Sequence, residues 1–135
     1  MKTVKTIFAS AILIALVSVS AFAGTNAKVI AVVNKAEWCP TCQNNGMRAM
    51  EAFKANNKDM AILFVANDVT NDETKQKSAE ELKKLGLDKA IEAYPGTGVV
   101  YFFNSETKAL ISQVSVAKPD QELAAALITA KKGLK

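Results

Sequence analysis

Apolar residues fall along the chain in two kinds of pattern. Residues 29–33 (VIAVV), 60–67 (MAILFVAN) and 99–103 (VVYFF) are apolar runs with little alternation. Short continuous runs rich in β-branched and aromatic residues predict strands covered on both faces. Residues 108–116 (KALISQVSV) alternate better, which predicts a fourth strand nearer a sheet edge. Between these runs the spacing becomes helical. Met47, Met50, Phe53 and Lys54 recur at that spacing with Ala49 and Ala52 between them. They predict a helix over 40–55 with both methionines in the core, closed by Asn56 and Asn57, with Gly46 a weak point inside it. Residues 70–73 (TNDE) have capping-box spacing and predict the next helix start. Ala79, Leu82 and Leu85 mark its apolar face, and Gly86 ends it. Residues 87–94 predict one or two further turns, and 94–98 (YPGTG) a loop dense in turn residues. Pro119 suits the first turn of a last helix, whose inward face is Leu123, Leu127 and Ala130. The order βαβα then ββα predicts an α/β domain with one parallel pairing and a closing antiparallel hairpin. No repeat, low-complexity segment or second domain interrupts it.

The N-terminus changes what counts as the domain. Lys2 and Lys5 precede an apolar or weakly polar run over 7–23 that ends in small residues, AFA. A positive start, an apolar stretch and an A-x-A-like end predict a secretory signal peptide over 1–23. The run, about 17 residues, is at the short end for a membrane span, and it carries Ser10, Ser18 and Ser20. No cysteine follows the site, so a lipoprotein anchor is not indicated. Residues 24–135 then form one domain with a modest core, expected in the periplasm or outside the cell. The full chain carries a net charge of +4, and loss of Lys2 and Lys5 lowers it by two. Acids and bases are interspersed, with no basic stripe carrying aromatics, so nucleic acid is not an expected partner. Lys131, Lys132 and Lys135 suit a helix C-terminus.

Export matters because of one motif, AEWCPTCQ. Cys39 and Cys42 are the only two cysteines, and outside the cytoplasm a disulfide can form and persist. The motif sits where a strand passes into a helix. Cys39 at the helix N-terminus would meet unpaired N–H groups and the positive end of the dipole. Both favour its thiolate, the nucleophilic form. Pro40 fits the first helical position. Thr41 could donate its hydroxyl to the sulfur, and Trp38 would give an apolar rim for a partner chain. Cys39 would attack a substrate disulfide, and Cys42 would resolve the mixed disulfide. Other uses of the pair fit less well. A structural bridge closing so short a loop constrains little of the unfolded chain. Zinc needs more ligands than two cysteines in a chain without histidine. Copper(I) is less demanding, and Met47 or Met50 could join the two thiolates.

The motif resembles that of thioredoxin, AEWC followed by Gly-Pro-Cys. LFVANDVTND, LKKLGL and GVVYFFN are further similar to the thioredoxin-like C-terminal domain of the bacterial membrane thiol reductase that carries electrons into the periplasm. The likeness covers residues 28–132. It implies a thioredoxin-like fold reduced to a four-stranded mixed sheet flanked by three main helices. It also implies a thiol–disulfide oxidoreductase with Cys39 as exposed nucleophile, Cys42 as resolving thiol and Trp38 beside them. No cofactor or metal is expected. The expected partners are disulfide-bearing exported proteins and an upstream thiol electron donor, with the protein a monomer.

Three positions depart from the thioredoxin pattern. The buried aspartate six residues before the first cysteine is Val33. Glu37 lies near in sequence but matches a surface residue of the family. The cis-proline of the substrate groove falls on Gly98, after Thr97, with Pro95 a possible substitute. The proline that kinks the helix is Met47. Pro40 and Thr41 between the cysteines match neither thioredoxin nor the strong periplasmic oxidant, whose pair carries a histidine. A reduction potential below the strong oxidants' value of about −120 mV is therefore expected. Reduction of exported disulfides is the favoured direction; isomerisation, oxidation and copper(I) carriage are the alternatives.

Overall fold

A computed structural model describes residues 26–134. The 1–23 segment read as a signal peptide lies outside them. The elements run β1 (Val29–Lys35), α1 (Pro40–Ala55), β2 (Ile62–Asp68), α2 (Asp72–Lys84), α3 (Asp88–Ile91), β3 (Val99–Asn104), β4 (Leu110–Ser115) and α4 (Asp120–Lys132). The sheet order is β2-β1-β3-β4. β1 pairs parallel with β2, Val29 opposite Ile62, and antiparallel with β3, Val32 opposite Tyr101. β3 and β4 form the antiparallel hairpin. The mixed sheet follows from the chain: a helix joins β1 to β2, whereas a short turn joins β3 to β4.

Alternation along β1 divides the interior in two. Val29 and Ala31 face a core with Ala49, Phe53, Phe102, Leu123 and Leu127, under α1 and α4. Ile30 and Val32 face a second core with Leu82, Leu87, Tyr101 and Phe103, under α2 and α3. Both central strands are thus covered on both faces, as their unbroken apolar runs predict, and β4 is an edge strand as its alternation predicts.

Four expectations are corrected. β2, read as buried, is the opposite edge strand and is mostly half-buried. Its run is apolar because both flanks meet a core layer, not because a strand lies on each side. The methionines of α1 are outside the core: Met47 is 84 % exposed and Met50 40 %. Ala49, Ala52 and Phe53 are the buried residues of that helix, and at 100° per residue Met47 lies about 200° from Ala49. The capping box of α2 is Asn71–Thr74, one residue later than TNDE suggests. Pro119 is the cap of α4 rather than its first residue. Asn57 closes α1 as expected and also hydrogen-bonds both N–H and C=O of Ile62, fixing the entry to β2.

Candidate active site

Cys39 and Cys42 form a disulfide, their Cα atoms 5.3 Å apart. Cys39 is the N-cap of α1 with extended backbone, and Pro40 occupies the first turn. The Cys39 Sγ accepts the Cys42 N–H at 3.2 Å. The sulfur therefore takes the place an Asn or Ser oxygen takes in ordinary caps. The Thr41 side chain makes no hydrogen bond to either sulfur among the described residues. Its β-carbon and methyl instead pack against Gly98. Exposure also departs from expectation: Cys39 is 3 % exposed, whereas Cys42 is half-buried.

Gly98 faces the pair. A β-carbon placed on it would lie 2.9 Å from Thr41 Cγ2 and 3.6 Å from Cys39 Sγ. Its φ of +73° is also one that L side chains rarely adopt. Sterics and backbone thus both call for glycine. Pro95 is exposed, and no cis peptide bond occurs among the described residues. Gly98, not Pro95, is the loop residue against the sulfurs. Thr97, beside it, has no backbone hydrogen bond among the described residues.

Residues that sequence reasoning missed hold this arrangement. Asn34, 1 % exposed, brackets the 94–98 loop. Its carbonyl accepts Gly98 N–H at 2.8 Å, and its Nδ2 donates to Tyr94 O at 2.8 Å. Its Oδ1 accepts from Asn67 Nδ2 at 2.9 Å. A polar residue closing an apolar strand was the available signal. Arg48 joins α1 to the chain after β4, donating to Val116 O at 2.9 Å and Lys118 O at 3.1 Å and pairing with Asp120. Val116 N–H in turn donates to Gly98 O at 2.9 Å. Nothing in the sequence marks Arg48.

Trp38 is 59 % exposed, held by its indole N–H on Thr70 O at 3.1 Å. Glu37 N–H donates to Thr70 Oγ1 at 3.0 Å. Thr70 is occupied here, which is why the cap of α2 falls to Asn71. Asp68 anchors Thr70 by accepting its N–H at 3.0 Å and its hydroxyl. The Thr70 hydroxyl first, then its N–H and the charge of Lys35, hold the Asp68 carboxyl below the usual carboxylate range, with burial opposing.

An open groove of about 720 Å³ runs between α1 and the β1–β2 pair. Cys42, Val33, Met47, Met50, Phe64 and Ala66 line it. Val33 and Phe64 make the position of the family's buried acid apolar. No cluster of three or more His, Cys, Asp or Glu side chains that could hold a metal occurs among the described residues.

A strand, a Cys-x-x-Cys at the start of the next helix, and a four-stranded mixed sheet flanked by helices are what the resemblance implies. The fold is thioredoxin-like. No family model matches the chain, and no curated protein does. Several solved structures overlay it. A secreted Mycobacterium tuberculosis disulfide oxidoreductase is 16 % identical, with 82 % of this chain and 85 % of that one covered, at TM-score 0.49. Malassezia sympodialis thioredoxin is 22 % identical over 78 % and 81 % of the two chains, at TM-score 0.48. Trxlp from Edwardsiella tarda is 12 % identical over 82 % and 91 %, also at 0.48. The strand order and the placement of the cysteines, rather than these overlays, carry the fold.

Proposed function

We propose that this chain is an exported thiol–disulfide oxidoreductase that reduces disulfides of other exported proteins. One observation carries the reading: the Cys39–Cys42 disulfide sits at the N-terminus of α1 with the Cys42 N–H on the Cys39 sulfur. On reduction, that N–H and the helix dipole favour a thiolate at Cys39. The assignment of Cys39 as nucleophile rests on this electrostatic difference, not on exposure. Cys39 thiolate attacks a substrate disulfide, one substrate sulfur leaves as thiolate, and a mixed disulfide forms. Cys42 thiolate then attacks the Cys39 sulfur, releases the second substrate thiolate and restores Cys39–Cys42. The backbone of Thr97, which makes no backbone hydrogen bond among the described residues, offers a strand-like pairing site beside Gly98, and Trp38 supplies an apolar rim. An upstream thiol donor reduces the pair for the next cycle.

The test is catalysed reduction of insulin disulfides with dithiothreitol as donor. Turnover is expected to vanish in Cys39→Ser, and Cys42→Ser is expected to accumulate a mixed disulfide through Cys39. Insulin reduction no faster than dithiothreitol alone would sink the reading. A potential near thioredoxin's, about −270 mV, supports reduction, and one above about −180 mV reverses the direction.

A further inference from the structure

The outer edge of β2 is stopped at both ends and open between them. Among the described residues β2 has a neighbouring strand on one side only. Ala61 O accepts from Lys28 and Val29 N–H, and Val69 N–H donates to Lys35 O, so both residues bond toward β1. Successive residues of a strand alternate in this respect. Leu63, Val65 and Asn67 therefore bond inward, and Ile62, Phe64, Ala66 and Asp68 present N–H and C=O outward. The outer two are capped. Asn57 bonds Ile62 N–H at 3.2 Å and Ile62 O at 2.8 Å, and Ser78 Oγ accepts Asp68 N–H at 2.9 Å. Both capping residues are buried. Among the described residues nothing outside the sheet answers the main chain of Phe64 or Ala66. The opposite edge, β4, is broken by a bulge, a common guard against strand addition. β2 pairs along its whole length without a shift.

The open window borders the apolar groove. Phe64 and Ala66 line that groove with Met47 and Met50 of α1, and so does Gly98. Gly98 is the residue whose β-carbon position lies 3.6 Å from the Cys39 sulfur. We propose that this window takes an extended, apolar segment of the substrate as a short added strand, close to the cysteine that Cys39 attacks. The inference rests on the disulfide-exchange reading above and names its substrate class: chains whose disulfide lies in extended, non-native sequence. The main chain of the segment pairs with Phe64 and Ala66. Its alternate side chains fall on the α1 face, beside two exposed methionines whose flexible side chains adapt to varied apolar shapes. Two residues of edge supply little of the roughly 1,200 Å² that a stable interface buries, so a second copy gains little there. A segment already bonded to Cys39 needs far less, because the bond raises its local concentration.

The test uses the reduced Cys42→Ser chain and a peptide of alternating valine and threonine with one central cysteine, activated as its mixed disulfide with nitrothiobenzoate. Cys39 thiolate bonds to the peptide sulfur, and nitrothiobenzoate leaves as thiolate. The same chain carrying mercaptoethanol on Cys39 is the control, and amide hydrogen exchange is read by NMR. The Phe64 and Ala66 amides are expected to exchange about tenfold more slowly with the peptide than with mercaptoethanol. Those of Leu63 and Val65, bonded to β1, are expected to stay the same. A peptide with serine in place of valine is expected to lose most of the protection. Unchanged exchange at Phe64 and Ala66, or equal protection by the serine peptide, overturns the proposal. So does slow exchange at both amides before any peptide is joined, which would assign the edge to the chain itself or, if it depends on protein concentration, to a second copy. Insulin turnover without protection removes the added strand alone. Protection without insulin turnover removes the protein-reductase reading alone.

Discussion

The indole N–H of Trp38 donates to the main-chain carbonyl of Thr70 at 3.1 Å, across 32 residues of sequence. The same threonine takes the Glu37 N–H on its hydroxyl, so one residue after β2 sets the approach to the cysteines. Thr70→Val keeps the shape and removes the hydroxyl. The site is exposed, so water can replace part of the loss, and the cost is expected to be about 0.5–1.5 kcal/mol in urea denaturation. Trp38 is the only tryptophan, which makes acrylamide quenching of its fluorescence a direct readout. Quenching is expected to rise in the variant as the carbonyl that holds the indole loses its anchor on Asp68 and Glu37; an unchanged quenching constant would show that the hydroxyl does not fix that carbonyl.

Asp68 makes this anchor sensitive to acid. Its carboxyl lies below the ordinary 3.8 when folded. A carboxylate lowered in this way contributes stability that is fully present above its unfolded value. That contribution is lost as pH falls through the folded value. Thermal midpoints are therefore expected to fall more steeply below pH 3.8 in the natural chain than in Asp68→Asn. Parallel curves would mean that the Thr70 contacts do not discriminate the ionised form.

Gly98→Ala tests the close approach at the sulfurs. The left-handed backbone alone costs a β-carbon about 1–2 kcal/mol, and the contact with Thr41 adds to it. Gly98→Pro is expected to be worse, since proline cannot reach a φ of +73°. It also lacks the N–H that Gly98 donates to Asn34. Equilibrium unfolding of both variants beside the parent gives the order. A Gly98→Pro protein as stable as the parent would require a different loop conformation.

The rotation of α1 is checked by two substitutions of opposite expected size. Met47→Ser, at an exposed position, is expected to change stability by less than about 0.5 kcal/mol. Phe53→Ala, in the fully buried core, is expected to cost about 3–5 kcal/mol. Comparable losses would place Met47 in the interior.

The sequence made the architecture legible because the strong signals were local. Residues 29–33 needed only their unbroken apolar run to be read as a strand covered on both faces, and Leu123, Leu127 and Ala130 only their spacing to be read as an inward helix face. The Cys39–Cys42 pair was legible because its chemistry depends on a helix N-terminus that Pro40 announces. What failed was long-range. β2 reads as buried from composition, yet whether a strand lies beside it is decided by the rest of the sheet. Met47 and Met50 are apolar at helical spacing, but which arc of a helix faces inward is chosen by its neighbours, here the sheet and α4. Thr70 has the chemistry of a cap and was diverted by Glu37, more than 30 residues away in sequence. Asn34 and Arg48 act through contacts 60 to 70 positions distant, which no local pattern records.

Asn34 has a further consequence for how the site loosens. With its carbonyl on Gly98 and its amide on Tyr94, it fastens both ends of the turn that faces the sulfurs. It does so from β1, the strand that leads into Cys39 and is paired on both sides. The turn is thus not a flap with its own equilibrium but part of the cooperative unit at the sheet centre. The Gly98 amide should exchange its hydrogen about as slowly as the amides of β1. The two jaws around the disulfide would then open only when the middle of the protein does.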